Sequence, residues 1–179
     1  MIKQKVVLAL RRLGITLLAL LPWVLNHTLG GPLQIPPPRS FPFDVSRGDS
    51  TLELEIRIRE HRSYYFALQF DYSGEDDPRR VLKLVGKSNE SGVTIPIHLK
   101  VVQVQPGSDS RIVFEETVVT ASMYAHGFSE KRFDGNYRRM IASMSLRPGH
   151  YRMEARTIQE TPEFSSVPSH LNIEYRQKF

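Results

Sequence analysis

Apolar residues alternate with polar ones along much of this chain, which is the pattern of half-buried β-strands. Between Thr51 and Arg59, leucine and isoleucine occupy every second position and charged side chains occupy the positions between them. The same period of two runs through Tyr64–Tyr72, Val93–Val104 and Tyr151–Ile158. A period of two with charges on one face predicts antiparallel strands that bury a single face.

Other segments complete a set of eight or nine predicted strands. One is a short edge strand at Phe43–Val45, and the others are Arg111–Ser122, Arg138–Leu146 and His170–Arg176. Arg111–Ser122 is predicted to form a hairpin with the strand before it. Pro96 has no amide hydrogen, and this predicts an edge position for its strand. Regularly spaced turn signals without an internal repeat predict an all-β fold, an immunoglobulin-like antiparallel β-sandwich.

The period changes between Asp77 and Gly86, where capping residues enclose a short apolar run. Asp77 suits an N-cap, Pro78 the first helical position and Gly86 the position after the last helical residue. We expect one short helix here, packed on an end of the sandwich through Val81, Leu82 and Val85.

A tight turn is predicted between the strands that end at Leu146 and begin at Tyr151. Pro148 presets φ for a turn, and Gly149 can adopt a positive φ. In immunoglobulin-like sandwiches a tyrosine after such a turn buries its ring and bonds its hydroxyl to nearby backbone. We therefore predict structural roles for Pro148, Gly149 and Tyr151.

The first 31 residues have the pattern of an export signal. Met1–Arg12 is basic, and Leu13–Leu25 is uncharged and apolar. This apolar run is shorter than the about 20 residues that a spanning helix needs. We expect a cleaved signal peptide over residues 1–31, with an uncleaved signal anchor as the alternative. Either one places the body in the periplasm or on the periplasmic face of the inner membrane, with membrane contact only through the N-terminal segment.

The rest of the chain is divided into a linker and a domain. Five prolines among residues 32–42 favour an extended polyproline II spacer, and residues 43–179 are left for the β-sandwich.

The formal net charge is +5, but four basic residues lie in the leader and no acidic residue precedes Asp44. The remaining body is nearly neutral, whereas nucleic-acid-binding domains concentrate basic charge on one face. We therefore expect no nucleic-acid partner.

Sequence motifs for catalysis are absent. The chain has no cysteine, no nucleophile elbow and no pair of histidines at zinc-binding spacing. Gly86–Ser88 resembles the end of a phosphate-binding loop, but Val81 occupies the position where that motif requires glycine. The sequence therefore predicts no cofactor, no metal and no enzymatic activity.

Residues 123–137 interrupt the alternation and are predicted to form a long loop. Aromatic and basic residues of this kind are enriched in protein contact surfaces, and long loops often carry function. The candidate interface residues are Tyr124, His126, Phe128, Lys131, Arg132, Phe133, Tyr137 and Arg138, with Arg139 beside them. The alternative is that these aromatics only cover one open end of the sandwich.

Several short motifs, in a fixed order, resemble a proteobacterial family of small exported proteins. The motifs are Phe41–Ser46, Tyr64–Phe70, Leu82–Gly86, Ile95–Leu99, Leu146–Tyr151 and Thr161–Phe164. Many members of this domain-of-unknown-function family are lipoproteins, whereas this chain lacks the acylated cysteine. The resemblance implies a small periplasmic β-sandwich with no established catalytic residues.

These observations predict a non-enzymatic envelope binding protein with a protein partner. By analogy with other small envelope sandwiches, that partner is a secreted toxin effector and this chain its immunity protein. One alternative is a carbohydrate- or lipid-binding sandwich that uses the same aromatics for stacking. Another is a hydrolase in which His126 acts as base, with Glu130 or Asp134 as its partner.

Overall fold

β-Strands make up most of the computed structural model, which describes residues 33–34, 39–74, 77–105, 107, 109–129 and 134–175. The strands are β1 (Leu33–Gln34), β2 (Arg39–Pro42), β3 (Thr51–Ile58), β4 (Arg62–Ser73), β5 (Gly86–Lys87), β6 (Glu90–Ser91), β7 (Ile95–Val104), β8 (Arg111–Thr120), β9 (Ala125–Ser129), β10 (Asp134–Leu146), β11 (Gly149–Thr157) and β12 (Ser169–Tyr175). Helix α1 spans Asp77–Val85, and Pro162–Phe164 forms one 3₁₀ turn. The predicted leader lies outside the described residues. Within the described part, no helix has the length and hydropathy needed to cross a membrane.

Two antiparallel sheets carry the fold, which confirms the predicted all-β sandwich. In the first sheet β3, β11, β7 and β8 are neighbours in that order, and the order in the second sheet is β2-β12-β4-β10-β9. The predicted hairpin is present as β7–β8. The apolar positions of both sheets meet in one core, and β4 and β7 supply fully buried residues at alternate positions: Phe66, Leu68, Phe70, Ile95, Ile97 and Leu99.

Helix α1 forms where the capping residues predicted it, and it packs against β4 and β10. Val81 and Val85 are fully buried. Gly86 ends the helix with φ of +80°, a conformation that favours glycine. A Cβ at this position would lie 2.4 Å from the backbone nitrogen of Gly92, so the close approach of β5 and β6 also requires glycine.

Arg139 is completely buried, although the sequence placed it among contact-surface residues. Its guanidinium donates five hydrogen bonds, with lengths of 2.6 to 3.3 Å, to four backbone carbonyls. The acceptors are the carbonyls of Leu84, Val85, Val93 and Thr120. The expectation of a surface role was wrong because Arg139 occupies an inward position of β10, where backbone carbonyls replace water.

The environment of this guanidinium compensates for the loss of water. Leu84 and Val85 form the C-terminal end of α1, where carbonyls lack helical donors and a positive charge is favourable. The rings of Phe70 and Phe164 have their centroids 5.6 and 5.7 Å from the guanidinium carbon, within cation–π range. Burial lowers the pKa of Arg139 to about 10, so the side chain remains charged at neutral pH.

Tyr151 secures a crossing between the two sheets. β10 belongs to the second sheet and β11 to the first, and only Arg147 and Pro148 connect them. The Tyr151 ring is buried, and its hydroxyl donates a 2.8 Å hydrogen bond to the carbonyl of Arg147. Gly149 does not adopt the positive φ expected of it, because it already belongs to the extended strand β11.

A second tyrosine repeats this arrangement beside the first. β3 crosses to β4 between the same two sheets, and Tyr64 donates a 3.3 Å hydrogen bond to the carbonyl of Glu60, again four residues earlier. The two crossings are adjacent because Ile58 pairs with Gly149 in one sheet and Arg62 with Leu146 in the other. Two tyrosine corners therefore close the same end of the sandwich.

Two predicted strand assignments were wrong. The edge strand lies at Arg39–Pro42, inside the predicted linker, while Phe43 and Val45 are buried without forming a strand. Pro42 is tolerated in β2 because this edge strand pairs with a neighbour on one side only, so its missing amide hydrogen need not break a hydrogen bond of the sheet. Pro96 lies in β7, an inner strand, and is tolerated because pairing with β11 starts one residue later, at Ile97.

A β-bulge at Ile141 changes which residues of β10 point inward, from odd-numbered to even-numbered positions. The pairing of β10 with β4 is continuous up to Met140 and resumes at Ala142, which leaves Ile141 as the additional residue. Before the bulge the odd-numbered Arg139 faces the core, and after it the even-numbered Leu146 does so.

Replacing Arg139 with methionine tests its structural role. Arg139→Met removes the guanidinium from four buried carbonyls, of which that of Leu84 keeps the amide of Val93 as a donor, and we expect the free energy of unfolding to fall by about 3–5 kcal/mol. Chemical denaturation followed by circular dichroism measures this loss. Arg152→Met is the control because the Arg152 side chain is 62% exposed, and its loss should stay within about 0.5 kcal/mol. Equal losses in both variants would contradict the role assigned to Arg139.

The two corner tyrosines provide a matched comparison. Tyr151→Phe removes the 2.8 Å hydrogen bond and should cost about 1 kcal/mol of unfolding free energy. Tyr64→Phe removes the longer 3.3 Å bond and should cost less. Urea denaturation of both variants provides the measurement, and a larger loss for Tyr64→Phe would reverse the ranking drawn from the geometry.

Candidate functional site on the β9–β10 hairpin

The predicted long loop is instead an antiparallel hairpin. Ala125 pairs with Arg138 and Ser129 with Asp134, so most of residues 123–137 belong to β9 and β10. The loop prediction failed because β9 is an edge strand with two glycine-containing pairs, and apolar residues do not alternate clearly along it. Residues 130–133, and with them the predicted contacts Lys131, Arg132 and Phe133, lie outside the described residues.

The hairpin register separates the remaining candidates between two faces. His126 is opposite Tyr137 and Phe128 is opposite Gly135, so these side chains lie on the core-facing side of the sheet. Arg138 lies on the other face, where the Tyr124 side chain joins it. The candidate residues therefore do not form one continuous surface.

Tyr137 has a structural role. It is 9% exposed, and its ring stacks at a tilt on Tyr72 with a centroid separation of 4.8 Å. The Tyr72 hydroxyl donates to the carbonyl of Gly127 at 3.4 Å and lies directly over Gly135. A Cβ on Gly135 would be 2.3 Å from that hydroxyl oxygen, so glycine is required for the two strands to accept this stack.

Two aromatic side chains are exposed to solvent, Phe128 in β9 and Tyr124 directly before it. Phe128 is 55% exposed and Tyr124 is 41% exposed, although most large apolar side chains in the described residues are buried. His126, between them, is also exposed, and it makes no hydrogen bond or ion pair with another described residue. In the described part of the chain, His126 therefore has no carboxylate that would activate it as a base.

A polar cluster on the outer face of the second sheet holds Tyr124 in place. Arg138 donates hydrogen bonds of 3.0 and 2.8 Å to the two carboxylate oxygens of Glu174. The Tyr124 hydroxyl donates a 2.7 Å bond to the same carboxylate. Burial, followed by the hydrogen bond to Glu174, raises the pKa of Tyr124 far above its usual value, so the phenol remains a donor at neutral pH.

The cluster continues along β4 and β12 through residues that sequence reasoning missed. Asn172 donates to Gln69 at 2.6 Å, and Gln69 donates to Asp71 at 2.7 Å. The His170 ring nitrogen Nδ1 lies 3.2 Å from Asp71, although the two groups are not aligned as a hydrogen bond. These polar residues occupy the outward positions of their strands, but only the order β12-β4-β10 brings them together.

An acidic depression of about 400 Å³ lies beside the start of β10, at the turn end of the hairpin. Asp71, Asp77 and Asp134 line it together with Asn136. Two hydrogen bonds from Arg80 and one from the amide of Ser73 outweigh the effect of burial and lower the pKa of Asp77. Among the described residues, no group of three or more histidine and carboxylate side chains is arranged to hold a metal ion.

The raised pKa of Tyr124 predicts a dependence of stability on pH. Tyrosine in the unfolded chain ionises near pH 10, whereas the native Tyr124 keeps its proton, so stability should fall as pH rises above about 10. Tyr124→Phe has no phenol to ionise and should lose less stability between pH 9 and 11. Urea denaturation at both pH values tests this, and identical pH dependence in the two proteins would contradict it.

Comparisons with known proteins support the fold and assign the family. A crystal structure of a protein from Sulfurospirillum deleyianum superimposes with a TM-score of 0.65 at 20% identity, and the alignment covers 80% of this chain and 100% of that one. At this identity the likeness concerns the fold alone. No curated protein matches the sequence. The model of the family described as domain of unknown function DUF5625 matches residues 40–175, and the chain therefore belongs to that family.

Proposed function

We propose that this protein is a non-enzymatic binding protein of the bacterial envelope that contacts a protein partner through the β9–β10 hairpin. One observation carries the proposal: at the edge strand β9, Phe128 is 55% exposed on one face of the sheet and the preceding Tyr124 is 41% exposed on the other, so the two aromatics flank the free edge. Aromatic residues on a rigid support dominate the binding energy of many protein interfaces.

The support beneath these two aromatics favours recognition. The Tyr124 hydroxyl is hydrogen-bonded to Glu174, and Arg138 holds the same carboxylate. Phe128 lies on a strand that is supported by the stacked rings of Tyr72 and Tyr137. Less side-chain freedom is lost on binding when side chains are already held in place, so more of the contact energy contributes to affinity.

The surroundings of the hairpin indicate the chemistry of the partner. Phe128 would enter an apolar pocket on the partner surface. The neighbouring depression lined by Asp71, Asp77 and Asp134 favours a partner that presents lysine or arginine beside that pocket. As the terminal strand of its sheet, β9 is also accessible for strand addition on its free side.

The proposed location rests on the leader and on the family resemblance. A basic segment followed by a short apolar run supports export, and the proteobacterial family suggested by the motifs consists of small exported proteins. By analogy with small envelope sandwiches that neutralise toxins, we propose a secreted toxin effector as the partner.

Site-specific photocrosslinking in cells tests the binding surface. A photoreactive phenylalanine analogue at position 128 should give one dominant protein adduct in the envelope fraction. The matched control is the same analogue at Ile158, which is 46% exposed but lies outside the hairpin. Adducts of equal yield at both positions, or none at position 128, would refute the proposed interface.

The captured partner then allows an affinity measurement. Phe128→Ala should weaken binding by at least about fivefold, because truncation of a central aromatic typically costs more than about 1 kcal/mol. Ile158→Ala should leave the dissociation constant unchanged. An unaltered affinity for Phe128→Ala would rule out this aromatic as the anchor.

A further inference from the structure

A small basic cavity lies between helix α1 and the β5–β6 hairpin, away from the β9–β10 hairpin. Its volume is about 200 Å³, and Arg79, Lys83 and Lys87 line it together with Ser91. Glu90 is the one carboxylate in this lining, and it forms a 3.2 Å ion pair with Lys87. The lining therefore carries more positive than negative charge.

Two of these cations are placed unfavourably for the helix itself. Arg79 and Lys83 are four residues apart on one helical face, where like charges repel and destabilise the helix. Neither forms an ion pair with a described carboxylate, whereas the adjacent Arg80 binds Asp77. An anion in the cavity would convert this repulsion into two attractive contacts.

The C-terminal end of α1 does not require these cations either. Lysines near a helix C-terminus often compensate for carbonyls that lack donors. Here the carbonyls of Leu84 and Val85 already accept hydrogen bonds from Arg139 inside the protein. The exposed Lys83 is therefore available for a ligand, and Lys87, which is paired with Glu90, adds a further positive charge beside it.

The cavity also fits a ligand larger than a simple ion. Ser91 supplies a hydroxyl, and the partly buried Leu82 supplies apolar surface beside the cations. Lysine and arginine together bind phosphate oxygens through charge-assisted hydrogen bonds. A volume of about 200 Å³ accommodates a phosphate group with part of the alcohol that it esterifies.

We propose that the cavity formed by α1 and the β5–β6 hairpin is a binding site for a phosphate ester, with Arg79, Lys83 and Lys87 as its cationic ligands. The site is not a phosphate-binding loop, because its cations come from a helix face and a hairpin rather than from a glycine-rich turn. The proposal does not depend on the interface at β9–β10.

Titration of the full chain with glycerol phosphate tests the site. Saturable shifts of the amide resonances of Gly86, Lys87 and Ser91 are expected by NMR. The variant with both Arg79→Gln and Lys83→Gln should bind at least about tenfold more weakly, since it lacks two of the three proposed charge-assisted contacts with the phosphate. Without ligand, this variant should be at least as stable as the parent, because the helical repulsion is removed.

The control removes the same charge elsewhere. Arg57 and Arg152 are exposed on the first sheet, and the variant with Arg57→Gln and Arg152→Gln should bind as the parent does. Vesicles of phosphatidylcholine with and without phosphatidylglycerol form the second arm. A parent-specific gain on vesicles containing phosphatidylglycerol identifies a lipid headgroup, and binding of glycerol phosphate alone identifies a soluble ester. Failure of the parent to bind either probe, or an equal loss in the control variant, would overturn the proposal.

Discussion

The buried guanidinium of Arg139 is the interaction on which the interior of this protein depends. It connects the end of α1, the segment before β7 and the end of β8 to the middle of β10. A hydrophobic side chain of similar size would fill the space but would remove the guanidinium donors, and of these carbonyls that of Leu84 would keep a hydrogen bond from the amide of Val93. Because the carbonyls belong to three separate segments of the chain, one side chain fixes the helix, both sheets and their connections relative to one another.

The end of the sandwich where β3 crosses to β4 and β10 crosses to β11 is closed by two tyrosines. There the chain crosses twice between the sheets in adjacent places, and each crossing is secured by a tyrosine that bonds to the carbonyl four residues earlier. The β9–β10 hairpin lies instead at the free edge of the second sheet, where Tyr124 and Phe128 are exposed. The architecture thereby separates the parts that hold the sheets together from the parts available for recognition.

Sequence patterns identified the features that depend on local chemistry. The ends of α1 were predictable because capping preferences act within a few residues, and the inner strands were predictable because both periodicity and burial are regular there. The β9–β10 hairpin was missed because its edge strand has no single buried face, and His126, Gly127 and Phe128 therefore show no alternation. Arg139 was misassigned although it shares the inward phase of Tyr137, since no sequence pattern distinguishes a satisfied buried arginine from an exposed one. The cluster of Gln69, Asp71, His170 and Asn172 required a strand order that the sequence does not contain.

The bulge at Ile141 has a consequence for how this family can diverge. The additional residue allows one strand to direct Arg139 and Leu146 inward although their positions have opposite parity. Deletion of Ile141 would restore a regular ladder in which Ala142 still pairs with Phe66, so Arg139 and Leu146 would both remain inward. Related proteins can therefore differ by one residue at this bulge without reversing the faces of the strand, whereas a length change that shifted the pairs beyond it would turn the apolar face outward.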